Sequence, residues 1–120
     1  VASRAYAPYS GFRVGAAAVT DDGRGVTGCN VENAAYGVTL CAECGLIGDL
    51  IAGGGGKIRR FVCVGTREED TAEAPLVMPC GRCRQLLAEH AAADFRMLSP
   101  RGEIDLEALL PQAFGPDNLG

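Results

Sequence analysis

Apolar positions along the chain fall into short runs separated by breaks rich in glycine, aspartate and proline. Residues 12–20, FRVGAAAVT, are largely apolar and end at DDGR; GVTGCNVE follows at 25–32. Two extended runs around an Asp-Gly signal predict a β-hairpin. Residues 41–52, CAECGLIGDLIA, carry apolar side chains at 42, 46, 47, 50 and 51, the spacing of a helix with one buried face. GGGG at 53–56 ends that helix. It follows a helix rather than preceding one and lacks a Lys-Ser/Thr ending, so it reads as a connector and not a phosphate-binding loop. KIRRFVCVGT, 57–66, alternates as a buried strand, REEDTAEAP, 67–75, reads as an exposed loop, and LVMP, 76–79, as a short extended piece. Pro79 biases Met78 toward extended geometry. CGRCRQLLAEHAAA, 80–93, predicts a second helix, DFRMLSP, 94–100, a further strand, and IDLEALLPQAF, 104–114, a final short helix. Strands alternating with helices predict an α/β domain whose helices cover a sheet. No internal repeat or linker divides the chain, so residues 1–120 read as one domain. The first residues resemble the tail of a helix that began before Val1.

Composition narrows the class. A chain of 120 residues supports one core, and 48% apolar residues are enough to fold it without disulfides. No stretch approaches the roughly 18 apolar residues of a membrane span, and no secretory signal is visible. A net charge of −4 argues against nucleic acid as the main partner, because phosphate-binding surfaces are basic. Six cysteines in a chain with long apolar runs fit a reduced, cytoplasmic setting with thiolates on a metal better than a core-poor disulfide scaffold. Cys29 and Cys63 lie in strand-like runs and read as small buried apolar groups. Met78 and Met97 read as packing residues, and His90, the only histidine, as structural or exposed.

Four thiols stand apart. CAEC, 41–44, and CGRC, 80–83, form CxxC, a gap of 35 residues, and CxxC. Cys80 and Cys83, at i and i+3, share one helix face and can share one ion. They follow Pro79 and fall in a first helical turn, where unpaired N–H groups favour thiolate. Cys41 occupies the matching place on the other helix, so two helix N-termini can converge on one zinc ion. If Cys44 supplies a fourth sulfur, the site is closed and structural. If it does not, water takes the open position and is activated at neutral pH. Helical spacing alone allows both. Glu43 favours the open site: a carboxylate two residues after a ligand can carry water's protons, and a structural site gains nothing from it. His90 lies seven residues past Cys83, about 10 Å along a helix, too far to share that ion.

C-A-E with P-C-x-x-C matches the signature of zinc deaminases. AYAPYSGFRVGAA (5–17), TGCNVENAAYG (27–37), CAE (41–43) and PCGRCRQLL (79–87) together resemble cytidine deaminases of the small, three-cysteine, homotetrameric type, in register from Ala5 to LLPQAF (109–114). The resemblance implies a three-layer α-β-α sandwich around a mixed, roughly five-stranded sheet. It implies one Zn²⁺ per subunit, held by Cys41, Cys80 and Cys83, with Glu43 as proton shuttle. The implied reaction is hydrolytic deamination of cytidine and deoxycytidine to uridine and deoxyuridine, releasing ammonia in pyrimidine salvage. It implies a free cytosine nucleoside as substrate and neither nucleic acid nor membrane as partner.

The substrate residues follow from the same likeness. Asn30 and Glu32 are two apart near a strand end, so period 2 puts both on one face, roughly 6.6 Å apart. Taken alone they read as a turn-forming polar run. In the resemblance, Glu32 takes the ribose 3′-hydroxyl and Asn30 assists. Phe12 matches the aromatic packed on the base, and Ala42 the residue whose backbone reads the pyrimidine edge. Phe114 matches an aromatic that reaches into a neighbouring subunit's pocket, and Tyr36 falls near the family's intersubunit contacts. Cys44 stands where many members have arginine. Arg82, inside P-C-G-x-C where the family is often small, is read as the replacement cation, and Arg84 matches the family's C-R-Q. Two functions compete with this reading: a structural four-cysteine zinc module, and a deaminase of a cytosine-containing antibiotic such as blasticidin S. A nucleic-acid or nucleotide deaminase fits less well, because Cys41 stands where such families carry histidine.

Overall fold

The computed structural model describes residues 1–120. Five strands form one mixed sheet in the order β2-β1-β3-β4-β5. β1 (Arg13–Thr20) and β2 (Gly25–Cys29) form the expected hairpin, with Ala17 opposite Thr27. Gly23 turns the chain with φ of 85°, a left-handed conformation that glycine adopts without steric cost. β2 stops short of the 25–32 run. Asn30 turns its side chain onto the backbone of Phe12 and Val14, and Val31 bridges Tyr6 and Leu40 instead of β1.

α1 (Ala42–Ala52) carries the chain past β1 to β3 (Ile58–Thr66), which pairs antiparallel with β1. α2 (Gly81–His90) then links β3 to a parallel neighbour, β4 (Ala91–Ser99). β2, β3 and β4 therefore run the same way, and both helices start beyond the carboxyl ends of strands. Ligand sites of open α/β sheets gather at such ends. β5 (Gly102–Asp105) closes the sheet antiparallel to β4, and α3 (Leu106–Leu109) follows it.

The helical spacing of 41–52 is realised: Ala42, Leu46, Ile47 and Leu50 are buried. They meet Ala16, Ala18, Phe61 and Cys63 of the sheet, and Leu87, Phe95, Met97 and Leu109 complete one core cluster. Burying a side chain of the Leu or Phe class contributes about 1.5–3 kcal/mol, so this face anchors both helices. The other face carries the 3₁₀ turn Ala2–Arg4, seated against Gly15. Beyond that turn it is open at Val19 and Leu98, which are 45% and 50% exposed. The α/β class and the mixed five-stranded sheet are as expected; the layer on this second face consists of the 3₁₀ turn.

Two boundaries differ from the sequence pattern. The helix expected over 80–93 ends at His90, and Ala91 already has strand geometry, φ −78° and ψ 136°. Alanine favours helix, but pairing of Ala91 with Ile58 draws the segment into β4. The helix expected over 104–114 shrinks to Leu106–Leu109. Ile104 pairs with Met97 in β5, Asp105 caps the helix by accepting from the N–H of Ala108 at 3.0 Å, and Pro111 restricts Leu110 to φ −144°, ψ 80°. The extended piece at 76–79 is present, with Leu76 bridging Val64 and the N–H of Val77 donating to the Cys63 carbonyl. No helix is long and apolar enough to cross a membrane.

Candidate metal and catalytic site

The chain places cysteine at the N-cap of each crossing helix. Cys41 caps α1 and Cys80 caps α2, both in extended geometry, with Cys83 one turn into α2. Their three Sγ atoms lie within 4.8 Å of one another, and those of Cys41 and Cys80 are 3.8 Å apart. Tetrahedral sulfurs at ~2.3 Å from zinc sit about 3.8 Å apart, so the triad fits the ion after closing by at most about 1 Å. Thiol chemistry points the same way. Burial opposes ionisation of Cys80, yet backbone N–H groups of Cys83 and Arg82 and the neighbouring thiols bring its pKa below the ordinary 9.0. Burial pushes Cys41 up, and burial together with the Glu43 carboxylate pushes Cys83 far up. A cation among the three reverses that balance, because a coordinating thiol is deprotonated outright.

Cys44 lies outside this triad. Its sulfur accepts a hydrogen bond from Arg82 Nη2 at 2.9 Å, linking α1 to α2 beside the cluster. The Cys44 sulfur holds the Arg82 guanidinium protonated more firmly than usual, with Cys41 adding to the effect. Arg84 spends its guanidinium on main-chain carbonyls: Nε donates to Pro79 at 3.0 Å and Nη1 to Leu109 at 3.1 Å. It ties the turn before Cys80 to the end of α3.

Glu43 is 3% exposed and lines a cavity of about 210 Å³ with Phe12, Asn30, Ala42, Cys41 and Cys80. The ring of Phe12 lies against Gly65, where an added Cβ would approach Cζ to 2.6 Å. Asn30 is 8% exposed. Its Oδ1 accepts from the N–H of Val14 at 2.9 Å and its Nδ2 donates to the Phe12 carbonyl at 2.9 Å. Asn30 thus fixes the segment that carries Phe12 as well as facing the cavity. Thr39, Cys63 and Met78 also line this cavity, a place the sequence pattern did not give them. Met78, read as a packing residue, belongs to this wall, whereas Met97 is core. Cys63 is buried as expected, and burial pushes its pKa up to about 12, so it remains a neutral thiol. Cys29 is half-buried, and His90 ends α2 half-buried.

Glu32 does not share that cavity. It lines a neighbouring hollow of about 400 Å³ with Tyr9, Ser10, Tyr36 and Thr39, and Thr39 lines both. The Glu32 carboxylate accepts from the N–H groups of Tyr9 at 3.0 Å and Ser10 at 3.1 Å, and from the Ser10 hydroxyl. The Ser10 hydroxyl, then its N–H, hold the carboxyl below its ordinary 4.5, so it is an anion at neutral pH. Phe114 lines neither cavity. It is 59% exposed, with its carbonyl accepting from Gln85 Nε2 at 2.9 Å. Tyr36 is 75% exposed.

The arrangement offers three converging thiols, one buried carboxylate beside them, and an apolar slot leading to a polar hollow. Comparison with known proteins agrees with it. Residues 1–98 match the model of the cytidine and deoxycytidylate deaminase zinc-binding region. The cytidine deaminase of Mycobacterium tuberculosis is 50% identical over 118 residues, spanning 98% of this chain and 84% of that protein. The crystal structure of the M. tuberculosis cytidine deaminase superposes with a TM-score of 0.85 at 50% identity, covering 95% of this chain and 88% of that one. The cytidine deaminase from Burkholderia pseudomallei gives a TM-score of 0.77 at 38% identity, covering 94% and 90%. The chain belongs to the cytidine and deoxycytidylate deaminase family.

Proposed function

We propose that the chain is a zinc-dependent cytidine deaminase that hydrolyses cytidine and deoxycytidine to uridine and deoxyuridine with release of ammonia, as a step of pyrimidine salvage. The observation that carries the reading is the burial of Glu43 in one cavity with Cys41 and Cys80 of the thiol triad. Cys41, Cys80 and Cys83 would hold one Zn²⁺ per subunit. When bound, zinc supplies Lewis acidity that makes water nucleophilic at neutral pH.

The chain's own groups do the rest. Glu43 accepts the proton that the attacking water gives up and passes it to ring nitrogen N3, which makes C4 electrophilic. It then takes the proton of the new C4 hydroxyl and delivers it to the amine, which leaves C4 as ammonia. Phe12 packs on the base, and Ala42 presents its backbone to the pyrimidine edge. The sugar extends past Thr39, flanked by Asn30 on the cavity side and by the anionic Glu32 in the hollow. Phe114, exposed in one chain, completes a neighbouring subunit's site in a homotetramer. All six cysteines are free, in keeping with a reducing, cytoplasmic setting.

The direct test incubates zinc-loaded protein with cytidine and with deoxycytidine and identifies uridine, deoxyuridine and ammonia. A protein that binds zinc yet leaves every cytosine nucleoside untouched would overturn the reading. The four-cysteine structural module is disfavoured by the position of Cys44, whose sulfur is held by Arg82 and not by the triad.

A further inference from the structure

The first turn of α1 carries the site's acid–base group and begins at one of its thiols, yet nothing in that turn says what fixes its distance from the sheet. The contact is made by Gly28, the fourth residue of β2. A Cβ built on Gly28 would lie 2.2 Å from the Ala42 carbonyl oxygen, 2.4 Å from the Leu46 nitrogen and 3.0 Å from the Gly45 carbonyl carbon. All three atoms are backbone, so no side chain can swing away. The crossing is tight from the strand side only: a Cβ on Gly45 would meet the Gly28 Cα at an ordinary 3.7 Å.

We propose that Gly28 is a positioning residue of the catalytic site, whose missing side chain sets how closely Cys41, Ala42 and Glu43 approach the thiols of α2. The inference rests on the cytidine deaminase reading for what the site does, and on geometry alone for what Gly28 does. A methyl group at position 28 requires the Ala42 oxygen to retreat from 2.2 Å to at least 3.0 Å, about 0.8 Å. Metal ligands tolerate about 0.2 Å and catalytic groups about 0.5 Å, so the shift exceeds both. α2 is held separately: Arg84 ties it to the end of α3 through the Leu109 carbonyl at 3.1 Å, and just before it Val77 pairs with Cys63 of β3 through its N–H and through the Cys63 thiol at 3.0 Å. The one exposed side-chain bond from α1, Arg82 to Cys44, is outweighed. The two halves of the thiol triad therefore move apart, and Glu43 moves with the α1 half.

Gly28→Ala and Gly25→Ala test this against wild type. Gly25 lies on the same strand, and a Cβ there meets nothing within 4 Å. Far-ultraviolet circular dichroism, zinc retained against a chelator, and kcat and KM on cytidine are measured for each. Gly28→Ala is expected to keep a native spectrum, hold zinc about tenfold more weakly, and lose about a hundredfold in kcat, with KM changing less than kcat. Gly25→Ala is expected to match wild type throughout. A Gly28→Ala protein that retains zinc as wild type does would overturn the proposal. So would one that fails to fold, because the displacement is placed in one helical turn and not in the sheet. If wild type itself leaves cytidine untouched, the deaminase reading fails while zinc retention still decides the role of Gly28.

Discussion

Arg82 stands between two of the triad cysteines in sequence and gives its guanidinium to Cys44 on the other helix. Three thiolates on a divalent ion leave a net charge of −1, and a more anionic cluster makes bound water less acidic. We propose that Arg82 supplies the offsetting cation, since Arg84 is engaged with carbonyls. Arg82→Ala is expected to hold zinc about tenfold more weakly than wild type, read by chelator competition. Cys44→Ala is expected to hold it normally; zinc loss there would restore the four-cysteine arrangement. Spacing and the helix N-termini made Cys41, Cys80, Cys83 and Glu43 legible as a group. They did not make Cys44 legible, because i and i+3 geometry serves 41 and 44 as well as 80 and 83. The deciding contact comes from another helix. Thr39, Cys63 and Met78 were equally hidden, since a cavity wall is set by tertiary packing and leaves no mark in residue type.

At the level of elements, α1 depends on its far end as well as its first turn. Arg24 Nη2 donates to the Leu50 carbonyl at 3.1 Å and the Gly55 carbonyl at 2.6 Å, binding the helix terminus to the glycine connector. Nη1 pairs with Asp22 at 3.6 Å. Hydrogen bonds from charged donors contribute about 1.5–3 kcal/mol each, and the half-exposed guanidinium lowers that figure. Arg24→Ala is expected to cost about 2 kcal/mol and several degrees in Tm by thermal melting, without loss of zinc. An unchanged Tm would contradict the role. Helical and strand periodicity located β1, α1 and β3 to within a residue or two, because each has one buried face in its own sequence. It misplaced the ends of α2 and β4 and missed β5, because Ala91 and Ile104 are assigned by their sheet partners and not by their own pattern.

At the scale of the whole molecule, Tyr36, Val38, Leu40 and Phe114 are each 48–75% exposed, and Leu40 also lines the catalytic cavity. Tyr36 lines the neighbouring hollow, and exposed apolar groups at these cavities are what an assembly with shared sites would cover. Sedimentation is expected to give a particle of about four times 12.4 kDa, and Phe114→Ala is expected to raise KM for cytidine. A monomer with full activity would contradict that arrangement. In the proposed mechanism a buried carboxylate, Glu43, beside three thiols that would hold zinc performs the proton transfers of deamination. Its most direct test follows the ultraviolet change of cytidine and deoxycytidine in wild type and in Glu43→Gln, with zinc content measured in both. One zinc per chain is expected in each protein, with a loss of about 10²–10⁴-fold or more in Glu43→Gln; equal activity in the two would contradict the role of Glu43.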